Sequence, residues 1–274
     1  MKLITATTYE EMCQKAARVL AAQITLKPQS VLGLATGSTP IGIYQELVRE
    51  YQEGKLDFSQ VTTVNLDEYL GLSPENDQSY RYFMNQHLFN KVNIPKENTH
   101  VPNGQPQNPQ EECRQYEELL AAVGPVDIQL LGIGNNGHIG FNEPCGHFPE
   151  FTHVVNLSES TIQANSRFFA HSSQVPRQAV SMGIGTIMKA KKILLAASGQ
   201  GKAQIVYDMM FGPVTPQVPA SLLRFHPDVT VFADQEAGVL ALAALPSSKL
   251  GNIPTCVSFG KRFSPSKPCT SGHR

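Results

Sequence analysis

Residues 31–40, VLGLATGSTP, join a short apolar run to a turn of glycine and hydroxyl side chains. A continuous apolar run that stops at glycine is typical of a strand buried on both faces of a parallel sheet. Thr39 is a suitable N-cap and Pro40 a suitable first helical residue for the amphipathic stretch over residues 43–51. The sequence therefore predicts a strand, a turn and a helix in direct succession.

Helical patterns alternate with further apolar runs along the chain. Asn108, Pro109 and Glu111 supply an N-cap, a first-turn proline and a capping-box acid for one helix. Another helix is predicted over residues 202–210. The runs that predict additional strands lie at residues 61–67, 126–134, 193–197 and 229–232.

This alternation predicts a three-layer α/β/α sandwich with a largely parallel, Rossmann-like central sheet. We expect a single domain over residues 1–245. Residues 246–274 contain basic residues but no Asp or Glu and show no periodicity, so they predict a mobile, solvated C-terminal tail without a role in chemistry. Contact between this basic tail and an acidic partner is the alternative.

The composition favours a small-molecule ligand. With 22 basic and 23 acidic residues, the net charge of -1 gives no electrostatic reason to expect nucleic acid or an anionic membrane as partner. The N-terminus has no signal-peptide pattern, and the apolar run at residues 239–245 is far shorter than the roughly 20 residues that span a bilayer. The five cysteines are scattered without a CxxC pair, which favours the reducing cytoplasm.

The turn after the first predicted strand has the composition of an anion site. It contains Thr36, Gly37, Ser38 and Thr39 at the beginning of a helix, where backbone N–H groups and the helix dipole attract an anion such as phosphate. The alternative is an ordinary capped turn.

Two acidic residues, Asp67 and Glu68, directly follow the second predicted strand, at the same edge of the sheet. A carboxylate in this position can serve a sugar hydroxyl, a metal ion or an abstractable proton. The alternative is a loop whose acids only cap its own backbone, and the sequence does not decide which of the two acids faces a ligand.

The glycine-rich stretch at residues 132–144, GIGNNGHIGFNEP, follows the third strand. Its GxGxxG pattern suggests a dinucleotide, but Gly137 is followed by residues that form helices poorly. A zinc site is disfavoured because His138 and Glu143 do not have the spacing of two zinc ligands on one helix. His147 is only a weak candidate for an additional ligand. A histidine whose tautomer is fixed by a carboxylate remains, which suits proton transfer. A histidine satisfied in the core is the alternative.

Two cationic residues suit a phosphate group. Arg167 can bind it through paired hydrogen bonds, and Lys202, at a glycine turn before a helix, can bind it as a point charge. Each of them alone could equally be a surface residue.

Four motifs together, LGLATGSTP, NLDEYLGL, GIGNNGHIGFNEP and ANSRFF, resemble the glucosamine-6-phosphate deaminase family. The match extends in order over about residues 1–240. The related 6-phosphogluconolactonases share both glycine turns, but there a TASLFP-like run typically follows the histidine. This chain has IGFNEP at that point, which favours the deaminases.

The resemblance implies conversion of glucosamine 6-phosphate and water to fructose 6-phosphate and ammonia, in amino sugar catabolism, without a metal or organic cofactor. It implies that Asp67 transfers a proton from C2 to C1, that His138 assists ring opening and that Glu143 orients His138. The residues that it places around the phosphate are Gly37, Ser38, Thr39, Arg167 and Lys202.

Two departures from the family pattern bear on these expectations. Some members have aspartate where this chain has Asn136, so the charged ring-opening group here reduces to His138 and Glu143. Allosteric members carry an arginine and a lysine where this chain has His153 and Val155. We therefore expect a non-allosteric enzyme that is a monomer or a small homo-oligomer.

Three alternatives remain open at the level of the sequence. A galactosamine-6-phosphate deaminase differs only in the configuration at C4 of its substrate, and a lactonase shares the fold. A catalytically silent sugar-phosphate sensor needs the predicted anion site at residues 36–39, the phosphate turn, but not the proton-transfer residues. The presence of Asp67, His138 and Glu143 together therefore disfavours it.

Overall fold

The apolar runs predicted as strands all lie in one sheet. The computed structural model describes residues 1–157, 162 and 175–245, and within them seven strands form a sheet in which every neighbouring pair is parallel. From one edge to the other, these strands are β1 (Lys2–Ala6), β10 (Val229–Asp234), β9 (Ile193–Ala197), β6 (Ile128–Leu131), β2 (Val31–Leu34), β3 (Thr62–Asn65) and β5 (Thr99–His100).

Helices cover both faces of this sheet. They are α1 (Tyr9–Leu26), α2 (Ile41–Gln52), α3 (Tyr80–His87), α4 (Pro109–Val123), α5 (Ile184–Ile187), α6 (Ala203–Phe211) and α7 (Gln235–Ala243). Consecutive strand residues point to opposite faces, so Leu130 and Leu194 enter one core with α1, α2 and α3, whereas Leu131 and Leu195 enter a second core with α4, α5, α6 and α7. The predicted three-layer α/β/α sandwich is confirmed.

A second sheet of three antiparallel strands was not foreseen from the sequence. It consists of β4 (Asp67–Tyr69), β8 (Gln178–Ser181) and β7 (His153–Asn156), in that spatial order. Asp67 therefore lies in a short strand opposite Ser181, and not in a loop that follows β3. Pairing with β8 fixes the direction of the Asp67 side chain.

The predicted N-cap of α4 is confirmed, but that of α2 is wrong. The side chain of Asn108 accepts the N–H groups of Gln110 and Glu111, whereas the predicted capping-box acid Glu111 pairs with Arg114. In contrast, Pro40 and not Thr39 is the N-cap of α2, and it makes no side-chain cap bond. The hydroxyl of Tyr9 accepts a hydrogen bond from an N–H of the first turn of α2 and so replaces the missing cap.

Contacts between Cα atoms group residues 1–243 into one unit and residues 244–274 into another. The tail predicted over residues 246–274 lies outside the described residues, so its mobility and the boundary at residue 245 remain predictions. Among the described residues, no helix combines the length and apolar character needed to cross a bilayer.

Candidate active site

Four strands that are neighbours in the sheet lead directly to the predicted site residues. In the order β9, β6, β2 and β3, they precede Lys202, the glycine-rich stretch, the phosphate turn and Asp67. Parallel strands end at the same edge of a sheet, and ligands of open α/β sheets bind beyond that edge. The topology thus brings together residues that are distant in sequence.

The carboxylate of Asp67 is buried, with 5 % of the residue exposed. Within the described residues it accepts no hydrogen bond, and a Cβ added to Gly140 would lie 3.4 Å from its Oδ2 atom. Asp67 thus faces the loop that contains His138 and Glu143. Burial, and secondarily the charge of Glu68, raise the pKa of Asp67 to about 8. A carboxylate this basic suits proton abstraction near neutral pH.

Glu68 has a structural role that separates it from Asp67. Its carboxylate accepts the backbone N–H groups of Tyr69, Tyr80 and Arg81 at 2.8–2.9 Å. Two of these N–H groups belong to the first turn of α3, so Glu68 caps that helix. Burial raises the pKa of Glu68, and these three hydrogen bonds oppose the shift. Of the two acids, Asp67 is therefore the one available to a ligand.

His138, Glu143 and Asn136 form a connected group. The Nδ1 atom of His138 lies 3.5 Å from Oε1 of Glu143, and Nδ2 of Asn136 donates to Oε2 of Glu143 at 2.6 Å. Asn136 also accepts the backbone N–H of His138 at 3.2 Å. His138 Nδ1 has no hydrogen-bond partner in the described residues, so the 3.5 Å contact is an ion-pair distance without hydrogen-bond geometry. The amide thus orients the carboxylate towards the imidazole.

The turn after β2 presents unpaired donors. Gly37 has a φ of +97°, a conformation that favours glycine, and the N–H groups of Gly37, Ser38 and Thr39 donate to no protein atom of the described residues. Gly37 and Ser38 are exposed. Adjacent N–H groups at the beginning of a helix form a concave anion site. This geometry favours the anion-site interpretation over an ordinary capped turn.

Lys202 follows β9, which is separated from β2 in the sheet by β6 alone. It makes no ion pair within the described residues, and burial lowers the pKa of its ammonium group. Asp234 holds the turn that precedes it by accepting the hydroxyl of Ser198 at 2.5 Å and the N–H of Gly199 at 2.9 Å. A half-buried cation without a counter-ion is suited to an anionic ligand. Arg167 lies outside the described residues, so its role remains a prediction.

An aromatic cluster beside Asp67 was missed by the sequence analysis. Tyr80 stacks on Phe141 with ring centroids 5.9 Å apart and contacts Tyr69 at 4.8 Å. Its hydroxyl donates to that of Tyr69 at 3.3 Å. Tyr69 and Tyr80 thus form an aromatic wall next to the strand that contains Asp67. The motif of Tyr80, SYRYF, contains two tyrosines that the sequence cannot rank.

These features define a class: a Rossmann-like α/β protein with a turn of unpaired backbone N–H groups after β2, a buried carboxylate after β3 and a histidine–carboxylate pair after β6. The described residues contain no cluster of three or more His, Cys, Asp or Glu side chains placed to hold a metal ion.

Comparisons with known proteins identify the family. The profile of glucosamine-6-phosphate isomerases/6-phosphogluconolactonase matches residues 5–232, and the chain belongs to this family. The glucosamine-6-phosphate deaminase of Lachnoclostridium phytofermentans is 56% identical over 231 residues, which cover 84% of this chain and 98% of the relative. The deaminase of Thermoanaerobacter pseudethanolicus is 52% identical over 257 residues, which cover 94% of this chain and 100% of the relative.

Solved structures agree with this assignment. A structure described as a monomeric glucosamine-6-phosphate deaminase has a TM-score of 0.85 and 49% identity, and the match covers 88% of this chain and 100% of that one. A 6-phosphogluconolactonase from Leishmania guyanensis has a TM-score of 0.66 at 22% identity, with 86% and 97% of the two chains covered. At that identity, the lactonase shows the shared fold alone.

Proposed function

We propose that this chain converts glucosamine 6-phosphate and water to fructose 6-phosphate and ammonia. The observation that carries the proposal is the buried Asp67 carboxylate, whose pKa is about 8 and which faces the loop of His138. The names of relatives that are more than 50% identical over nearly their full length support the same activity. The activity belongs to amino sugar catabolism, and we place it in the cytoplasm.

The phosphate group anchors the substrate. Gly37, Ser38 and Thr39 supply N–H donors, and Lys202 and Arg167 supply positive charge. Binding energy at the phosphate holds C1 and C2 in a fixed position, although the phosphate itself does not react.

Ring opening comes before the isomerisation. His138 takes the proton of the C1 hydroxyl and returns a proton to the ring oxygen, which gives the open-chain aldehyde. Glu143 stabilises the imidazolium that forms in between, and Asn136 keeps the carboxylate in place.

Asp67 then removes the proton from C2 of the aldehyde, while the carbonyl oxygen on C1 takes a proton from the substrate's own ammonium group, which gives an enolamine. The same carboxyl group delivers a proton to C1, and the product is a ketimine at C2. Water adds to this carbon, ammonia leaves and fructose 6-phosphate remains. A single residue can serve as base and acid because its pKa lies near the working pH.

Incubation with three substrates tests the proposal. Ammonia and ketose phosphate are followed with glucosamine 6-phosphate, its galacto epimer and 6-phosphogluconolactone. We expect the gluco compound to react fastest. Faster release from the galacto epimer, hydrolysis of the lactone alone, or binding without turnover would each favour one of the three alternatives.

Kinetics without an activator are expected to be hyperbolic, with no response to N-acetylglucosamine 6-phosphate. His153 occupies the position of the arginine of allosteric members; burial lowers the pKa of His153, and its Nδ1 bonds the Phe151 carbonyl. It thus offers no cation to a phosphate group. Steady-state rates over a range of substrate concentrations check this. Sigmoidal rates that the activator makes hyperbolic would refute it.

The monomeric deaminase among the solved structures supports a monomer or a small homo-oligomer for this chain.

Lys202→Met is expected to raise KM by about 10- to 100-fold, because a hydrogen bond to a charged group contributes about 1.5–3 kcal/mol. We expect kcat to change much less, since the phosphate is not the reacting group. Lys55→Met, which removes an exposed lysine paired with Glu53, is the matched control. An unchanged KM in Lys202→Met would remove this lysine from the site.

A further inference from the structure

Two tyrosine hydroxyls hold the two ends of the phosphate turn. At the strand end, the Tyr44 hydroxyl donates to the carbonyl of Ala35 at 2.6 Å and accepts its N–H at 3.2 Å. At the helix end, the Tyr9 hydroxyl donates to the carbonyl of Thr39 at 3.0 Å and accepts the N–H of Gly42 at 2.9 Å. The free N–H groups of the turn lie between these two anchors.

Tyr9 reaches the turn from a different helix. It is the first residue of α1, its ring packs against the first core, and its hydroxyl is also 3.3 Å from the Ser38 carbonyl. A Cβ on Gly42 would lie 2.9 Å from this hydroxyl and 2.7 Å from Sγ of Cys13. The close approach of α1 to α2 therefore depends on glycine at position 42. Burial raises the pKa of Tyr9 to about 12, so the hydroxyl stays a neutral donor.

The hydrogen bonds of Tyr9 with Thr39 and Gly42 determine which backbone groups an anion at this turn would meet. A carbonyl oxygen repels phosphate, and the bond from Tyr9 keeps the Thr39 carbonyl directed towards α1. The N–H of Gly42 is satisfied by Tyr9, so the free donors are confined to the turn itself. Pro40 supplies neither an N–H nor a side-chain cap at this helix start.

We propose that Tyr9 is a positioning residue for substrate phosphate: its hydroxyl fixes the conformation in which Gly37, Ser38 and Thr39 present their N–H groups. This inference rests on the proposed function, because it assigns the anion of that substrate to this turn. The Tyr9 hydroxyl bonds groups of the phosphate turn and of α2, and within the described residues it makes no hydrogen bond to Asp67 or His138, so it affects binding and not the chemical step.

Tyr9→Phe tests the inference, because it removes the hydroxyl and keeps the ring. We expect KM for glucosamine 6-phosphate to rise about three- to tenfold, the range of one neutral hydrogen bond, with kcat changed less than about twofold. The Kd for inorganic phosphate, measured by calorimetry on the full chain, is expected to rise by the same factor. Tyr51→Phe, at the far end of α2, removes a hydroxyl without a hydrogen bond in the described residues and should leave both constants unchanged.

Parental values of KM and of the phosphate Kd in Tyr9→Phe would overturn the inference, as would a fall in kcat at constant KM. A parent chain that binds no inorganic phosphate would also overturn it. If the parent chain binds phosphate but releases no ammonia, only the proposed function is refuted. The inference about Tyr9 is then decided by comparing the phosphate Kd of the parent chain with that of Tyr9→Phe.

Hydrogen exchange on the parent chain decides the matter if Tyr9→Phe does not fold. The Gly42 amide is expected to be protected both without and with saturating inorganic phosphate, because its acceptor is Tyr9. Protection that appears only with phosphate would mean that Gly42 binds the anion directly, and the inference would be wrong.

Discussion

Asp67→Asn is expected to lower kcat by about 10³-fold, within the range of general acid–base catalysis, while phosphate binding stays close to that of the parent. An amide of the same shape cannot accept the C2 proton. Within the described residues, Asp67 accepts no hydrogen bond and holds no part of the phosphate turn, so its replacement leaves the binding groups in place. The loss should therefore appear in kcat and not in KM.

The same substitution is expected to stabilise the folded protein at neutral pH. Burial raises the pKa of Asp67 from 3.8 to about 8, so the folded state disfavours the charged carboxylate. Below pH 3.8 the group is protonated in both the folded and the unfolded state, and its contribution to the free energy of unfolding is fully present. This contribution is lost as the pH rises towards 8, because the unfolded state releases the proton first. An asparagine avoids this loss. At about 1.4 kcal/mol per pKa unit, the gain reaches at most roughly 4 kcal/mol at pH 7.

Denaturant unfolding of parent and variant at several pH values between 4 and 8 measures this gain. The difference in the free energy of unfolding should be small at pH 4 and grow steadily with pH. Asp77→Asn, at an exposed position, is the control and should show no such trend. A variant that keeps parental activity, or a stability difference independent of pH, would contradict the assignment of Asp67 as a buried base.

Five strands of the central sheet, β2, β3, β6, β9 and β10, could be predicted because they are short, apolar and largely buried. The edge strands β1 and β5 were missed, because alternate residues of β1 are exposed and β5 has only two residues. The run at residues 193–197 is β9 residue for residue, and β2 and β6 lie within the predicted runs. The second sheet could not, since its strand β4 has three residues, two of them acidic, and pairs with a segment more than a hundred residues away. Only tertiary pairing makes such a segment a strand.

The candidate site was predictable as a set of residue types but not as a set of contacts. The sequence places Asp67 and Glu68 side by side, and only the backbone N–H groups of α3 distinguish the cap from the available acid. Tyr9 was missed for a similar reason. It begins a different helix, and nothing local indicates that its hydroxyl completes the first turn of α2.

Gly134→Ala is expected to lower kcat/KM by about 100-fold, because a displacement of about 1 Å at a catalytic group can cost this much. A Cβ at this position would lie 2.2 Å from Cε1 of His138 and 2.4 Å from each ring nitrogen. The imidazole must therefore move away from its place beside Glu143. The backbone of Gly134 does not require glycine, since its φ is not among the positive values. The imidazole contact alone thus makes a side chain unfavourable here.

Gly132→Ala is the matched control for this experiment. It lies in the same loop, its φ is also not positive, and a Cβ there meets no atom within 4 Å. We expect the control to keep parental kcat/KM and both variants to bind inorganic phosphate like the parent, because the phosphate turn belongs to another strand end. Equal rates for the two variants would show that the position of the His138 ring does not limit the reaction. A loss in Gly134→Ala alone would tie the rate to that ring, since an added Cβ meets the imidazole at Gly134 and no atom within 4 Å at Gly132.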